Sequence, residues 1–384
     1  MKKLLAILLA SAILCVFACV GASAADDRLA AIQAVLEEYN NTHGGTGTLE
    51  ISTSIYANYY AVIGEVRGTT KGIVFPDGKY WIDWCATLTG TTFGEPLIKI
   101  PRIDVQSGEI EANGCAIECD LASVYGGSIT AGEAIYAHSV EFGGISISGG
   151  TIRGNLRLDY MPKDGSVGGG MGFSGGSFTG AIESNNSVWF GGNAIVNIIA
   201  LSAPYIAVSD NARITLDENG TVRTTLVEVH TPATISFKNR LQNCLYAESK
   251  AGGWGISCKW NSTIDYIDIN NNSVCTVIGT VVLDDLVSQE GGSLIIPKGA
   301  SLTLNEFSMW GDVVLDGDLK IRGKKQAGTY ISIKGSNAWS LKWTLLKNTV
   351  YYPKYNWVQD IWYGPFMQFL LRCVFFFQVV LRFW

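Results

Sequence analysis

The chain has 384 residues, 47% of them hydrophobic and only 16% charged, with 44 glycines and a formal net charge of −6. A chain this apolar and this weakly charged can bury a core, which excludes wholesale disorder. The acidic balance, with no basic cluster, argues against nucleic acid as a partner.

The chain opens on an export signal. Lys2 and Lys3 form a basic start, Leu4 to Val20 is apolar, and Ala22-Ser23-Ala24 offers small residues for cleavage. Removing residues 1–24 takes away these two lysines and no acids, which moves the charge from −6 to −8. The protein is therefore expected outside the cytoplasm, free or at the cell surface. Residues 25–44 follow as an amphipathic helix, with Leu29, Ile32, Leu36 and Tyr39 on one stripe, Asp26 or Asp27 as its cap and Gly44-Gly45 as its end. Its expected role is to cover the open end of the strand array behind it.

Residues 45–335 read as strands, first by alternation and then by repetition. The segments 107–119, 126–138, 149–158 and 175–184 each open with glycine beside a small polar residue. Each then places an apolar residue at a fixed point: Ile110, Ile129, Ile152 and Phe178, with residues 191–197 continuing the series. Irregular steps of about 18–26 residues suit the coils of a parallel β-solenoid, which stack at roughly 4.8 Å and bury alternate side chains. The predicted fold is all-β, a parallel and by crossover chirality right-handed β-helix, of ten to twelve coils over residues 85–335. Tyr160 to Gly172 reads as an inserted loop. From about residue 280 the spacing tightens, with Leu294, Ile296, Leu302, Leu304, Leu315, Leu319 and Ile321 alternating.

These glycine-punctuated strings, with the sequel "GGSLIIPKGASLTL", resemble irregular cell-surface β-helix proteins of Firmicutes-type bacteria, similar in shape to the pectin-lyase-like superfold. The resemblance covers about two thirds of the chain. It implies surface display, adhesion or glycan contact and leaves activity open.

The seven cysteines beyond the leader are an odd number, so at least one has no intramolecular partner. They read as small apolar fillers or as including a bridge such as Cys244 with Cys258. No second Cys or His pair stands at zinc-ligand spacing.

Residues 336–384 read as an aromatic, apolar tail, a cap for the array that can also carry a membrane-associated helix. Phe366, Phe369, Leu370, Phe375 and Phe376, with Val379, Val380, Phe383 and Trp384, are the expected membrane-contacting residues. Gln368, Arg372, Gln378 and Arg382 fall in one arc of about 120° at helical spacing, the stripe of a helix lying in the membrane interface. A spanning helix would carry Arg372 near its centre at about 2.5–3.5 kcal/mol.

No catalytic or metal-binding set emerges, and no cofactor is expected. Asp284-Asp285 lacks the Gly-His-Gly and Arg-Ile-Lys strings of polygalacturonase-like enzymes and reads as a turn. Asp265, Asp268, Asp312, Asp316 and Asp318 are the acids available to a calcium-dependent lyase and read as solvated. The stretch from Asp268 fails as a calcium loop at Ser273 and Gly279. His43, His138 and His230 are scattered. The expected function is a non-catalytic surface rod, structural, adhesive or glycan-binding, whose partner is glycan, cell wall or a host surface protein. The alternative is a polysaccharide-degrading β-helix enzyme of lyase or hydrolase type, to be recognised by carboxylates converging with Lys or Arg in one groove.

Overall fold

The computed structural model describes residues 49–53, 59–67, 73–74, 81–90, 95–139, 144–160, 169–250, 255–261, 263–270, 272–289, 291–323, 325–327, 332–338, 341 and 373. The expected export signal, the expected helix at 25–44, the expected inserted loop and the tail residues Phe366 to Trp384 named above lie outside them, save for Tyr160 and Gly169–Gly172 at the margins of that loop and Cys373 within the tail. Among the described residues no helix is long and apolar enough to cross a membrane. The fold is an all-β parallel β-solenoid of about 11 turns with almost no helix. By contact it divides into two units, one of residues 1–202 with 212–221 and one of residues 203–211 with 222–384.

In the first unit the coil at residues 102–119 contributes three short parallel strands, and each of the next four contributes one short and one long strand. Arg102–Val105, Leu121–Val124, Gly144–Ile147, Met171–Phe173 and Val188–Phe190 stack in one column. A second column brings Ile110, Ile129, Ile152, Phe178 and Val196 into direct register, and all five are buried. The steps between them are 19, 23, 26 and 18 residues, yet the register does not drift. Differences in coil length are taken up between strands and at local register shifts, between Thr130 and Ile135 and at Gly180/Ala181, because an uncompensated slip of one residue would turn every apolar side chain outward.

The paired glycines explain how. Gly127, Gly150 and Gly176 hold φ of 74°, 75° and 73°, in the left-handed region. The glycine before each leaves no room either: a Cβ on Gly126, Gly149 or Gly175 would stand 2.4, 2.1 or 2.4 Å from a carbonyl oxygen of the coil below. Each corner therefore closes backbone on backbone. The Ser128 and Thr151 N–H groups following the corners donate to Gly108 and Gly127 carbonyls at 2.9 and 3.0 Å.

The second unit begins with the parallel strands Tyr205–Val208, Leu226–His230 and Cys244–Ser249. The next strand of that sheet, Ser273–Ile278, pairs antiparallel with Cys244–Ser249. Between them Ile256–Asn261 and Thr263–Ile269 form an antiparallel hairpin. Parallel stacking then resumes through Ser293–Ile296 and Asp312–Leu315, while Thr280–Ser288, Ser301–Met309 and Asp318–Ile321 build the opposing sheet. Within this unit the path of the described chain thus reverses at a hairpin that the uniformly parallel expectation did not contain, and Leu49–Thr53 with Tyr59–Arg67 forms a further antiparallel pair. Leu294, Ile296, Leu302, Leu304 and Leu315 point inward as expected, whereas Leu319 and Ile321 are only half-buried.

All described cysteines are free thiols, Cys244 and Cys258 included, which removes the disulfide reading. Cys119, Cys244 and Cys275 are buried fillers, and burial pushes the Cys275 thiol up to about 12.

Ile129 tests the core ladder. Ile129→Ala removes buried methyls between two coils and is expected to lower the unfolding free energy by about 2–5 kcal/mol, read from denaturant unfolding followed by circular dichroism.

Candidate functional site

The solenoid register sets residues from different coils side by side on two outward faces of the first unit. On the first, Lys99, Glu118, Tyr136, Arg157 and Glu183 stand opposite one another on five successive coils. Lys99 Nζ lies 2.6 Å from Glu118 Oε1, and His138 Nε2 lies 3.2 Å from the same oxygen. The Tyr136 hydroxyl donates to Asp159 Oδ2 at 3.0 Å, and Arg157 reaches that oxygen at 2.8 Å while its guanidinium sits 4.9 Å from the Tyr136 ring centre.

Burial raises the Glu118 carboxyl, but Lys99 and His138 more than offset this and hold it below the ordinary range. Glu133 behaves oppositely. Burial pushes it up, and the negative charges of Asp159, Glu183 and Glu118 add to that against the opposing pull of Arg157. Exposed ion pairs of this kind add little to stability, so the array matters as a fixed surface pattern.

The second face carries no charge among its described residues at Ser146, Gly172 and Trp189. Ser123, Ser146, Gly172 and Trp189 occupy one register row, with Asp83 and Asp104 at its far end; Ser123 and Asp104 are buried within it. Beside the row lies an open groove of about 450 Å³, lined by Ser146, Ser174, Ser187, Gly170, Met171 and Trp189 among others. The Trp189 indole lies down over glycines. A Cβ on Gly191 would stand 2.3 Å from its Cζ2, and one on Gly172 would stand 3.6 Å from its Cε3. At Asp83, burial raises the carboxyl and the neighbouring Asp104 adds to this, while a hydrogen bond from Gln106 works against both.

The second unit encloses a carboxylate. Glu228 is fully buried and His230 is 7% exposed. Glu228 Oε2 accepts the Tyr205 hydroxyl at 2.5 Å. Its Oε1 accepts the Ser249 hydroxyl at 2.9 Å and the Gly255 and Ile256 N–H groups at 2.8 and 3.1 Å. His230 Nε2 lies 3.0 Å from that same oxygen. Burial alone would raise Glu228, but the hydrogen bonds from His230, Tyr205 and Ser249 hold it below its ordinary 4.5. The same burial and the same carboxylate push the Tyr205 hydroxyl far up. Only glycine fits at 255, where a Cβ would stand 1.8 Å from Ser249 Oγ. The cluster is closed to solvent, and its work is structural: it fastens the start of the reversing hairpin to the strands already stacked.

The acids singled out in the sequence do not converge. Asp284 and Asp285 lie within the strand Thr280–Ser288 rather than in a turn, and Asn305 Nδ2 donates to Asp284 at 2.6 Å. Gln289 donates to Asp268 at 2.7 Å, and Asp316 accepts the Ser336 N–H at 2.7 Å. Among the described residues no group of three or more His, Cys, Asp or Glu could hold a metal ion. His138 and His230, expected to be merely scattered, each meet a glutamate. For His230 a signal was present, since Glu228 and His230 are two apart in a strand and share a face.

Compared with protein-family models, with curated proteins and with solved structures, the chain matches none.

The Glu228 cluster makes stability pH-dependent with a definite sign. A carboxyl held below its unfolded value stabilises the fold above about 4.5 and loses that contribution as pH falls through the lower folded value. Glu228→Gln is expected to cost about 3–5 kcal/mol at neutral pH and to flatten this part of the acid limb, read from unfolding midpoints between pH 3 and 7.

Proposed function

We propose that this chain is an exported β-solenoid displayed at the cell surface, where it binds glycan without cleaving it. The observation that carries this reading is the row of Ser146, Gly172 and Trp189 beside the open groove. An aromatic face framed by small hydroxylated residues on a rigid sheet suits carbohydrate, which offers both apolar C–H faces and a rim of hydroxyls. The basic and apolar start of the chain and its small-residue cleavage site support export. The striped apolar tail around Phe366, Phe369, Phe375 and Phe383 supports attachment at a membrane interface.

One observation favours the second reading, a polysaccharide-cleaving enzyme. Glu133, Asp159 and Glu183 lie near Arg157 on one outward face, with Glu133 held protonated to higher pH than usual, as a general acid requires.

Two measurements separate these readings. Immobilised full-length protein is expected to retain glycans from a printed array. Incubation with a panel of soluble polysaccharides is expected to release no reducing ends and no unsaturated products. Release that disappears in Glu133→Gln would replace the binding reading with the enzymatic one.

A further inference from the structure

We infer that the Trp189 groove is a subsite for a neutral pyranose ring with equatorial substituents, stacked flat on the indole; this rests on the glycan-binding reading above. None of the eleven described residues lining the groove carries a charge. A uronate, sulfate or ammonium group would enter it without a counter-charge, at the desolvation cost such groups carry. Further along the row stand Asp104 and Asp83, both acidic, and the one described cation beside them, Arg102, lies 4.0 Å from Asp104, which offsets its pull on an acidic sugar.

The geometry also selects shape. Trp189 is half-exposed, and its indole takes the space that a Cβ would need at Gly191 and lies within contact of one at Gly172. The exposed side of the ring is the one open to a ligand. A flat platform of this kind takes a ring whose substituents are all equatorial, because axial C–H bonds then point down at the negative π face. An axial hydroxyl on that side would hold the ring away.

The coil stack explains why the platform exists. Gly172 stands directly opposite Trp189 on the neighbouring strand, so the indole can lean across the sheet instead of standing upright against a side chain. The hydroxyls of Ser146, Ser174 and Ser187 line the same groove and supply partners for the equatorial hydroxyls at the rim. The volume of about 450 Å³ falls within the usual size of small-ligand sites, roughly 300–1,000 Å³.

Isothermal titration of the full chain tests this with four soluble probes: a cello-oligosaccharide, a galacto-oligosaccharide with axial O4, a manno-oligosaccharide with axial O2, and an oligogalacturonate. The cello-oligosaccharide is expected to bind tightest. Trp189→Ala is expected to weaken it at least about tenfold, the loss of roughly one good stacking contact, while Trp189→Phe retains most of the affinity. Ser146→Arg, at an exposed position that fills the groove, keeps the test valid if Trp189→Ala does not fold, and is expected to weaken binding equally. Cello-oligosaccharide binding that ignores both Trp189→Ala and Ser146→Arg overturns the subsite and leaves glycan binding standing. Preference for the oligogalacturonate, or for an axial sugar, overturns the neutral equatorial ligand and likewise leaves glycan binding standing. Failure of the wild-type chain to bind any glycan, on the array or in solution, ends both.

Discussion

In a solenoid no coil can satisfy its own strands. Every backbone N–H and C=O that points along the stack must find its partner in the coil above or below. That requirement holds Ile110, Ile129, Ile152, Phe178 and Val196 opposite one another although the coils between them differ in length. It also demands the glycine pairs, since the corners at 126–127, 149–150 and 175–176 bring one backbone within van der Waals reach of the next. Core and corner are two consequences of one stacking rule.

The same rule builds the outer surface. Residues some twenty positions apart in sequence become immediate neighbours, and those two apart on a strand share a face. Lys99, Glu118, Tyr136, Arg157 and Glu183 become a charged array in this way. Ser146, Gly172 and Trp189 become one row beside an open groove. Neither set is a motif along the chain. Each is assembled by register, and the backbone that fixes it is rigid, which lowers the entropy cost of recognising a ligand.

The reversal in the second unit is held by polar chemistry as well as by packing. When the strand after Ser249 turns back through a hairpin, the first backbone N–H groups of that hairpin, at Gly255 and Ile256, enter the interior and need acceptors. Glu228 supplies them, and Tyr205, Ser249 and His230 compensate its buried charge. A charge is tolerated inside a β-solenoid here because it is surrounded by donors.

The solenoid was legible in the sequence because inward apolar residues recur with corner glycines at each coil, a local pattern repeated often enough to survive irregular spacing. The inward direction of Leu294, Ile296, Leu302 and Leu304 was legible for the same reason. The two faces of the first unit, the Glu228 cluster and the strand placement of Asp284 and Asp285 were not. Their meaning depends on which coil lies beside which, and on the antiparallel pairing of Cys244–Ser249 with Ser273–Ile278. Periodicity along a chain encodes which way a side chain points, but neighbours across a sheet are chosen by hydrogen bonds that only the folded stack can form.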